Sequence, residues 1–220
     1  NRSAFPELLP IDALRVSLQG LRFDAMTVVL ANGLLIVLHL LPLAWRSGAE
    51  YQRMLFALFM VVNTLLLLLV AIDLPFYGFN GKRITRDVLG HAGTGLRELP
   101  AFLVHYWWAT LIFLTGIGAL AFAWKRIRVP GAGEGRTWVK DSTISAVSLG
   151  VFFLVGRGGW QYQGLSPAHA ADHVPVALAP LVTNSAFTLG YSLSEPAFTA
   201  PSYMSAEELD RRIPLRYNVS

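Results

Sequence analysis

The chain has 220 residues, 54% of them hydrophobic and only 15% charged, with a formal net charge of +4. A soluble domain carries about 25% charged residues, and here the apolar excess is gathered into runs, the pattern of a membrane protein. The absence of cysteine excludes thiolate metal sites, cysteine nucleophiles and disulfides, and the modest net charge points to no nucleic-acid partner.

Residues 1–25 read as an external or interfacial segment that carries GLRFD at 20–24. Arg22 and Asp24 within it are expected to pair at the membrane interface. Four segments then have the purity of transmembrane helices, for which about 20 apolar residues are needed. They run about 26–45, 54–72, 104–124 and 139–156. The last is the shortest, and its Ser/Thr-rich first half suits packing against other helices. The predicted fold is thus all-α, a polytopic transmembrane helical bundle over 26–156. Asn32, His39 and Asn63 fall inside the spans; uncharged polar groups there read first as inter-helix hydrogen bonds. No chain of ionisable groups forms a path through the bundle, which argues against a transporter.

Orientation follows from the connections. Residues 46–53 carry Arg46 and Arg53, and 125–140 carry five Lys/Arg against the single Glu134. The positive-inside rule places both in the cytoplasm. Residues 1–25, 73–103 and everything after the fourth span are then outside. Trp45, Trp107, Trp108 and Trp124 stand near span ends, as interface aromatics do.

The outer loop IDLPFYGFNGKRITRD, 72–87, crowds Asp73, Tyr77, Lys82, Arg83, Arg86 and Asp87 together. Aromatics beside basic residues at a membrane surface suit a lipid headgroup; an ordinary juxtamembrane loop reads equally well. The fourth span ends in GRGGWQYQGLSP, 156–167. Its glycines stop a helix, and Arg157 either snorkels to the interface or holds a phosphate. Residues 157–220 have 4 basic and 5 acidic residues and no further span. They read as an extended extracytoplasmic connector with short helices, one of them a turn near Ala168–His173. A second has Ser205 as N-cap and Glu208 completing a capping box. His169 and His173 share a helical face, but two histidines alone seldom make a metal site. No phosphate loop, dinucleotide fingerprint or nucleophile elbow appears.

In this order, GLRFD, IDLPFYGFNGKR, GRGGWQYQGLSPAHAA, PLVTNSAFTLGYSL and SYMSAEELDRRIP resemble the membrane part and connector of lipoteichoic-acid-synthase-like phosphoglycerol transferases of the sulfatase/alkaline-phosphatase superfamily. The resemblance spans nearly the whole chain; each motif is loose, and the order and spacing carry it. It implies five spans in the intact protein, the first preceding Asn1, and an external catalytic domain following Ser220. That domain would hold a threonine nucleophile and a divalent metal (Mn, Mg or Zn). No catalytic or metal-binding residue is therefore expected in this stretch, which would have no activity alone. Membrane lipids, an anionic phospholipid substrate and the catalytic domain are the implied partners, in a bacterial cytoplasmic membrane. By position, Lys82, Arg83 and Arg157 are the candidate headgroup contacts. A phosphoethanolamine transferase or sulfatase-like hydrolase with the same anchor, or a non-enzymatic membrane scaffold, are the competing readings.

Overall fold

A computed structural model describes residues 10–40, 48–90, 100–126 and 138–195, with Glu208 and Arg211 beyond them. Every regular element among the described residues is helical. The basic connection over 127–137, the end of the first span over 41–45 and the Ser205 cap lie outside the described residues.

The first helix, α1 (Pro10–Ala31), is followed by α2 (Gly33–Leu40), with a bend of 63° between them. The bend falls at Asn32, whose side-chain amide donates to the Val28 carbonyl at 2.9 Å. A side chain inserted into the hydrogen-bond ladder is a usual cause of such a kink. α1 thus begins well before Met26: the charged residues Asp12, Arg15, Arg22 and Asp24 interrupt the apolar run without interrupting the helix. Helix α3 (Ala49–Asn80) has 32 residues and so reaches about 48 Å, beyond the roughly 30 Å of a hydrocarbon core. Gly81, in the left-handed conformation, ends it by donating from its N–H to the Tyr77 carbonyl. One turn, α4 (Arg86–Leu89), follows. Helix α5 (Trp107–Arg126) and helix α6 (Trp138–Gly156) complete the bundle.

α1 and α2 pack on α6, while α3 packs on α5, and α2 joins the two pairs. Small residues let the backbones approach: a Cβ built on Gly116 of α5 would lie 3.0 Å from Leu67 of α3. Asn32 and Asn63 face one another, each amide donating to the other's oxygen at 3.2 and 2.8 Å. This is the inter-helix role expected of them.

Two helices, α3 over Ala49–Gly78 and α5, are long and apolar enough to cross a membrane. The bent pair α1–α2 meets the same test only as one unit, and the apolar part of α6, Ser142–Gly156, is shorter. A second bent pair lies in the stretch read as an extended connector. Residues 167–194 form the 3-10 turns Pro167–Ala171 and Val176–Leu178, then α7 (Ala179–Val182) and α8 (Ser185–Ser194). Val176–Val182 and Ser185–Ser194 together pass the length and composition test across a bend of 99°.

This region is folded, not extended. Leu165, Ala170, Val174, Leu178, Val182 and Phe187 are buried around Phe23 of α1 in one core. The Phe23 and Phe187 rings meet edge to face, with centroids 4.9 Å apart. The physical reason is spacing: an apolar residue every four or five positions gives the segment one apolar side, and Phe23 supplies the surface that buries it. α8 touches both α1 and α3, so the segment wedges between the two halves of the bundle.

Candidate functional site

The motif-bearing segments meet at one end of the bundle, where two polar clusters flank α1. The helical rotation of about 100° per residue separates them. Arg22 turns to one side, and Asp24, two residues on, to the other.

The first cluster begins with the stop of α6. The Gly158 N–H donates to the Val155 carbonyl and the Gly159 N–H to the Leu154 carbonyl, each at 2.9 Å. This is the paired bonding of a Schellman end. It requires positive φ, and Gly158 and Gly159 have φ of 81° and 126°. A Cβ on Gly158 would also sit 2.4 Å from Leu165, so the turn is closed against the core. The Arg157 Nε donates to the Gln161 carbonyl at 3.0 Å, and the Gln161 amide returns a bond to the Arg157 carbonyl at 3.0 Å. Arg22 reaches across from α1, donating from Nε to the Gly158 carbonyl and from Nη2 to Gln161 Oε1. The turn thereby holds Trp160 and Tyr162 outward, 89% and 92% exposed.

The second cluster is built on Asp73, near the end of α3 and 1% exposed. Its Oδ2 pairs with Arg83 Nη1, and its Oδ1 accepts the Ile84 N–H at 3.2 Å. Arg83 also donates from Nε to the Pro180 carbonyl at 3.0 Å. Its guanidinium lies over the Tyr77 ring, 4.7 Å from the centroid. One arginine thus fastens the loop after α3 to both α3 and α7. Nearby, Asn184 caps α8, its Oδ1 accepting the Phe187 N–H at 2.7 Å, while its Nδ2 donates to Asp24 Oδ1 at 2.7 Å.

Between α1, α3 and the α7–α8 corner lies a cleft of about 520 Å³. Leu21, Val70, Leu74 and Leu181 are among its apolar walls, with Asp24, Asp73, Arg83, Thr183, Asn184 and Ser185 as polar lining.

Of the three candidate headgroup contacts, Lys82 is exposed, Arg83 is engaged on three sides and Arg157 is half-buried in its turn. Arg83 and Arg157 sit in different clusters and do not form one anion site. Arg22 and Asp24, expected to pair, instead bond to Gly158 and Gln161 and to Asn184. Their opposite directions on the helix separate them. His169 Nδ1 accepts the Ser166 N–H at 3.0 Å in a capping box, which makes it structural. Among the described residues no three His, Asp or Glu side chains gather as a metal site would require. None is assigned to the divalent metal that the resemblance implies.

Sequence reasoning missed the α7–α8 corner and its cleft. The signal was present in the four-residue apolar spacing over 170–182 and in Asn184, a favoured N-cap residue before SAFTLGYSL. No protein-family model matches the chain, and no curated protein or solved structure does so either.

Proposed function

We propose that this chain is the membrane part of a lipoteichoic-acid-synthase-like phosphoglycerol transferase of a bacterial cytoplasmic membrane. In this reading α1–α2, α3, α5 and α6 are four spans, and the cluster end of the bundle faces outside. The bent α7–α8 unit is then not a span. It is a corner on the outer surface, from which the chain leads to an enzyme domain carrying the divalent metal.

The observation that carries the reading is mutual contact between the resembling segments. Arg22 and Asp24 of GLRFD, Asp73 and Arg83 of IDLPFYGFNGKR, Gly158 and Gln161 of GRGGWQYQGLSP, and Pro180 and Asn184 of PLVTNSAF bond to one another. Segments that resemble one family in order and spacing are thus parts of a single assembly. The basic connections 46–53 and 125–140 support the orientation. The role of the outer face would be to seat the enzyme domain and to hold anionic headgroups near Lys82 and Arg157. Arg83 would contribute by keeping Lys82 in place.

Two measurements test this. Because the chain has no cysteine, single cysteines introduced at Gly48 and Gly164 report sidedness directly. A membrane-impermeant maleimide applied to intact cells should label position 164 and spare position 48; the reverse pattern overturns the topology. Turnover is measured in membranes carrying the intact reading frame, with phosphatidylglycerol or phosphatidylethanolamine labelled in the headgroup. Transfer of glycerol phosphate, reduced in Lys82→Ala and Arg157→Ala at unchanged protein level, is the expected result. Transfer of phosphoethanolamine alone, or none, rejects the phosphoglycerol assignment.

A further inference from the structure

The outer half of α1 carries an apolar stripe that the folded core does not use. Ile11, Leu14, Leu18 and Leu21 are 49% to 63% exposed. At steps of three, four and three residues they fall within an arc of about 80° on the helix. The opposite side carries Phe23 and Val16, which pack into the 165–187 core. Asp12, Arg15, Arg22 and Asp24 all lie off the stripe, and the exposed Ser17 hydroxyl is satisfied within the helix by the Ala13 carbonyl at 2.8 Å. An apolar face bordered by basic side chains is the pattern of a helix lying in a membrane interface.

Height decides between water and lipid. α2 and α6 run side by side in opposite directions: the Ser145 hydroxyl donates to the Leu40 carbonyl at 2.8 Å, while Gly33 approaches Phe152. Farther out, Gly156 at the end of α6 meets Leu30 of α1. The apolar part of α6, Ser142–Gly156, is about 22 Å long, short of a hydrocarbon core of roughly 30 Å. α6 therefore ends no farther out than the edge of that core, and α1 emerges at the same level. From there the 63° bend slants α1, which rises only about 0.7 Å per residue instead of 1.5 Å. Its outer half stays beside the bilayer surface.

Trp160 and Tyr162 mark the same level. The turn that holds them outward is bonded to Arg22, which borders the stripe, and their amphipathic rings suit the headgroup layer. We propose that the outer half of α1 and the Trp160–Tyr162 turn form one seat in the lipid interface, with Ile11, Leu14, Leu18 and Leu21 against the upper acyl chains. Its partner is the bilayer itself. A stripe of this spacing also suits a helix from a second copy, but the low end of α6 and the neighbouring aromatic pair select lipid. The seat follows from placing the bundle in a membrane; neither the transferase assignment nor the sidedness enters.

Spin labels on single cysteines, introduced into the full chain in phosphatidylcholine nanodiscs, test it through collision with oxygen, which concentrates in acyl chains, and with a water-soluble nickel chelate. Labels at Leu14, Leu18 and Tyr162 should favour oxygen, whereas one at Gly164, exposed just beyond the turn, should favour nickel. As the label is stepped from 11 to 21, oxygen access should peak at 11, 14, 18 and 21. Leu14→Glu/Leu18→Glu, changes at exposed side chains, should shift the Tyr162 label toward nickel with thermal unfolding in detergent unchanged; the single labels decide the matter if this variant fails to fold. Nickel access at 14 and 18 equal to that at 164 would overturn the seat, as would an unmoved Tyr162 label in the folded double variant. Spin–spin broadening at 14 or 18 that grows with two copies per disc would overturn it in favour of a second copy. A label at Val151 on α6, 55% exposed, separates the causes. Oxygen access there with nickel access at 14 rejects the seat alone, while nickel access at both rejects the membrane placement as well.

Discussion

The middle of the bundle and its polar end are held together by different forces. Along α3 and α5 only 11% and 6% of the most apolar stretch is buried within the protein. Polar contacts between helices there are few: the Asn32–Asn63 amide pair, the Tyr51 hydroxyl on the Leu38 carbonyl and the Ser145 hydroxyl on the Leu40 carbonyl, supplemented by close approach at small residues such as Gly116. At the end of α1 and α3 the arrangement is reversed. Phe23 and the 165–187 segment make a continuous apolar core, bordered by the Asp73–Arg83 pair, the Arg22 bonds and the Asn184 cap. The contrast is what two solvents would produce. Where acyl chains surround a helix, burying a leucine gains little, and packing and hydrogen bonds decide the association. Where water is the competitor, burial itself drives assembly.

The contrast can be broken most severely at Arg83. Arg83→Met leaves the carboxylate of Asp73, 1% exposed, without its cation, and should destabilise the fold by about 3–5 kcal/mol. The double variant Asp73→Leu/Arg83→Met should recover most of that loss, because no charge is then stranded. Denaturant titration of the detergent-solubilised chain measures both. If the double variant is no more stable than the single, the pair is not what anchors the corner to α3.

A second comparison isolates the core from the backbone. Gly81 and Gly158 both have positive φ, 61° and 81°. Nothing lies within 4 Å of a Cβ on Gly81, whereas one on Gly158 would be 2.4 Å from Leu165. Gly81→Ala should therefore lose only the left-handed backbone term, about 1 kcal/mol. Gly158→Ala should lose that and a further 1–3 kcal/mol or so from overpacking. Equal losses in thermal unfolding would mean that the 165–187 core is not closed against the α6 stop.

The smallest effect is expected in the middle. Asn63→Leu removes one member of the amide pair and should cost about 1 kcal/mol, the scale of hydrogen bonds between membrane helices. A loss as large as that of Arg83→Met would show that the two regions are not held by different forces.

Much of the helical plan was legible in the sequence. The apolar runs locate α2, α3, α5 and α6, and the polar residues within them, Asn32 and Asn63, read as inter-helix hydrogen bonds, though which partner each finds does not follow from the sequence. α1 was read too short because its first half is not apolar; helix formation there is carried by the face that packs on the folded 165–187 segment. That segment was read as a connector because it is interrupted by Pro175 and Pro180 and holds no run of 18 apolar residues. Neither feature prevents short helical turns from burying one side each.

Local features are therefore written into the residues themselves: helical segments, the glycine stop at 158–159, the Asn184 cap and the separation of basic from polar ends. These depend on spacing and on backbone preferences within a few residues. Three-dimensional packing was needed to show that Arg22 serves the α6 turn and not Asp24, that Arg83 is engaged by Asp73, Pro180 and Tyr77, and that a cleft forms beside Ser185. Most of these contacts join residues far apart in the chain, and partners at such distances are chosen by packing geometry, which no local pattern records.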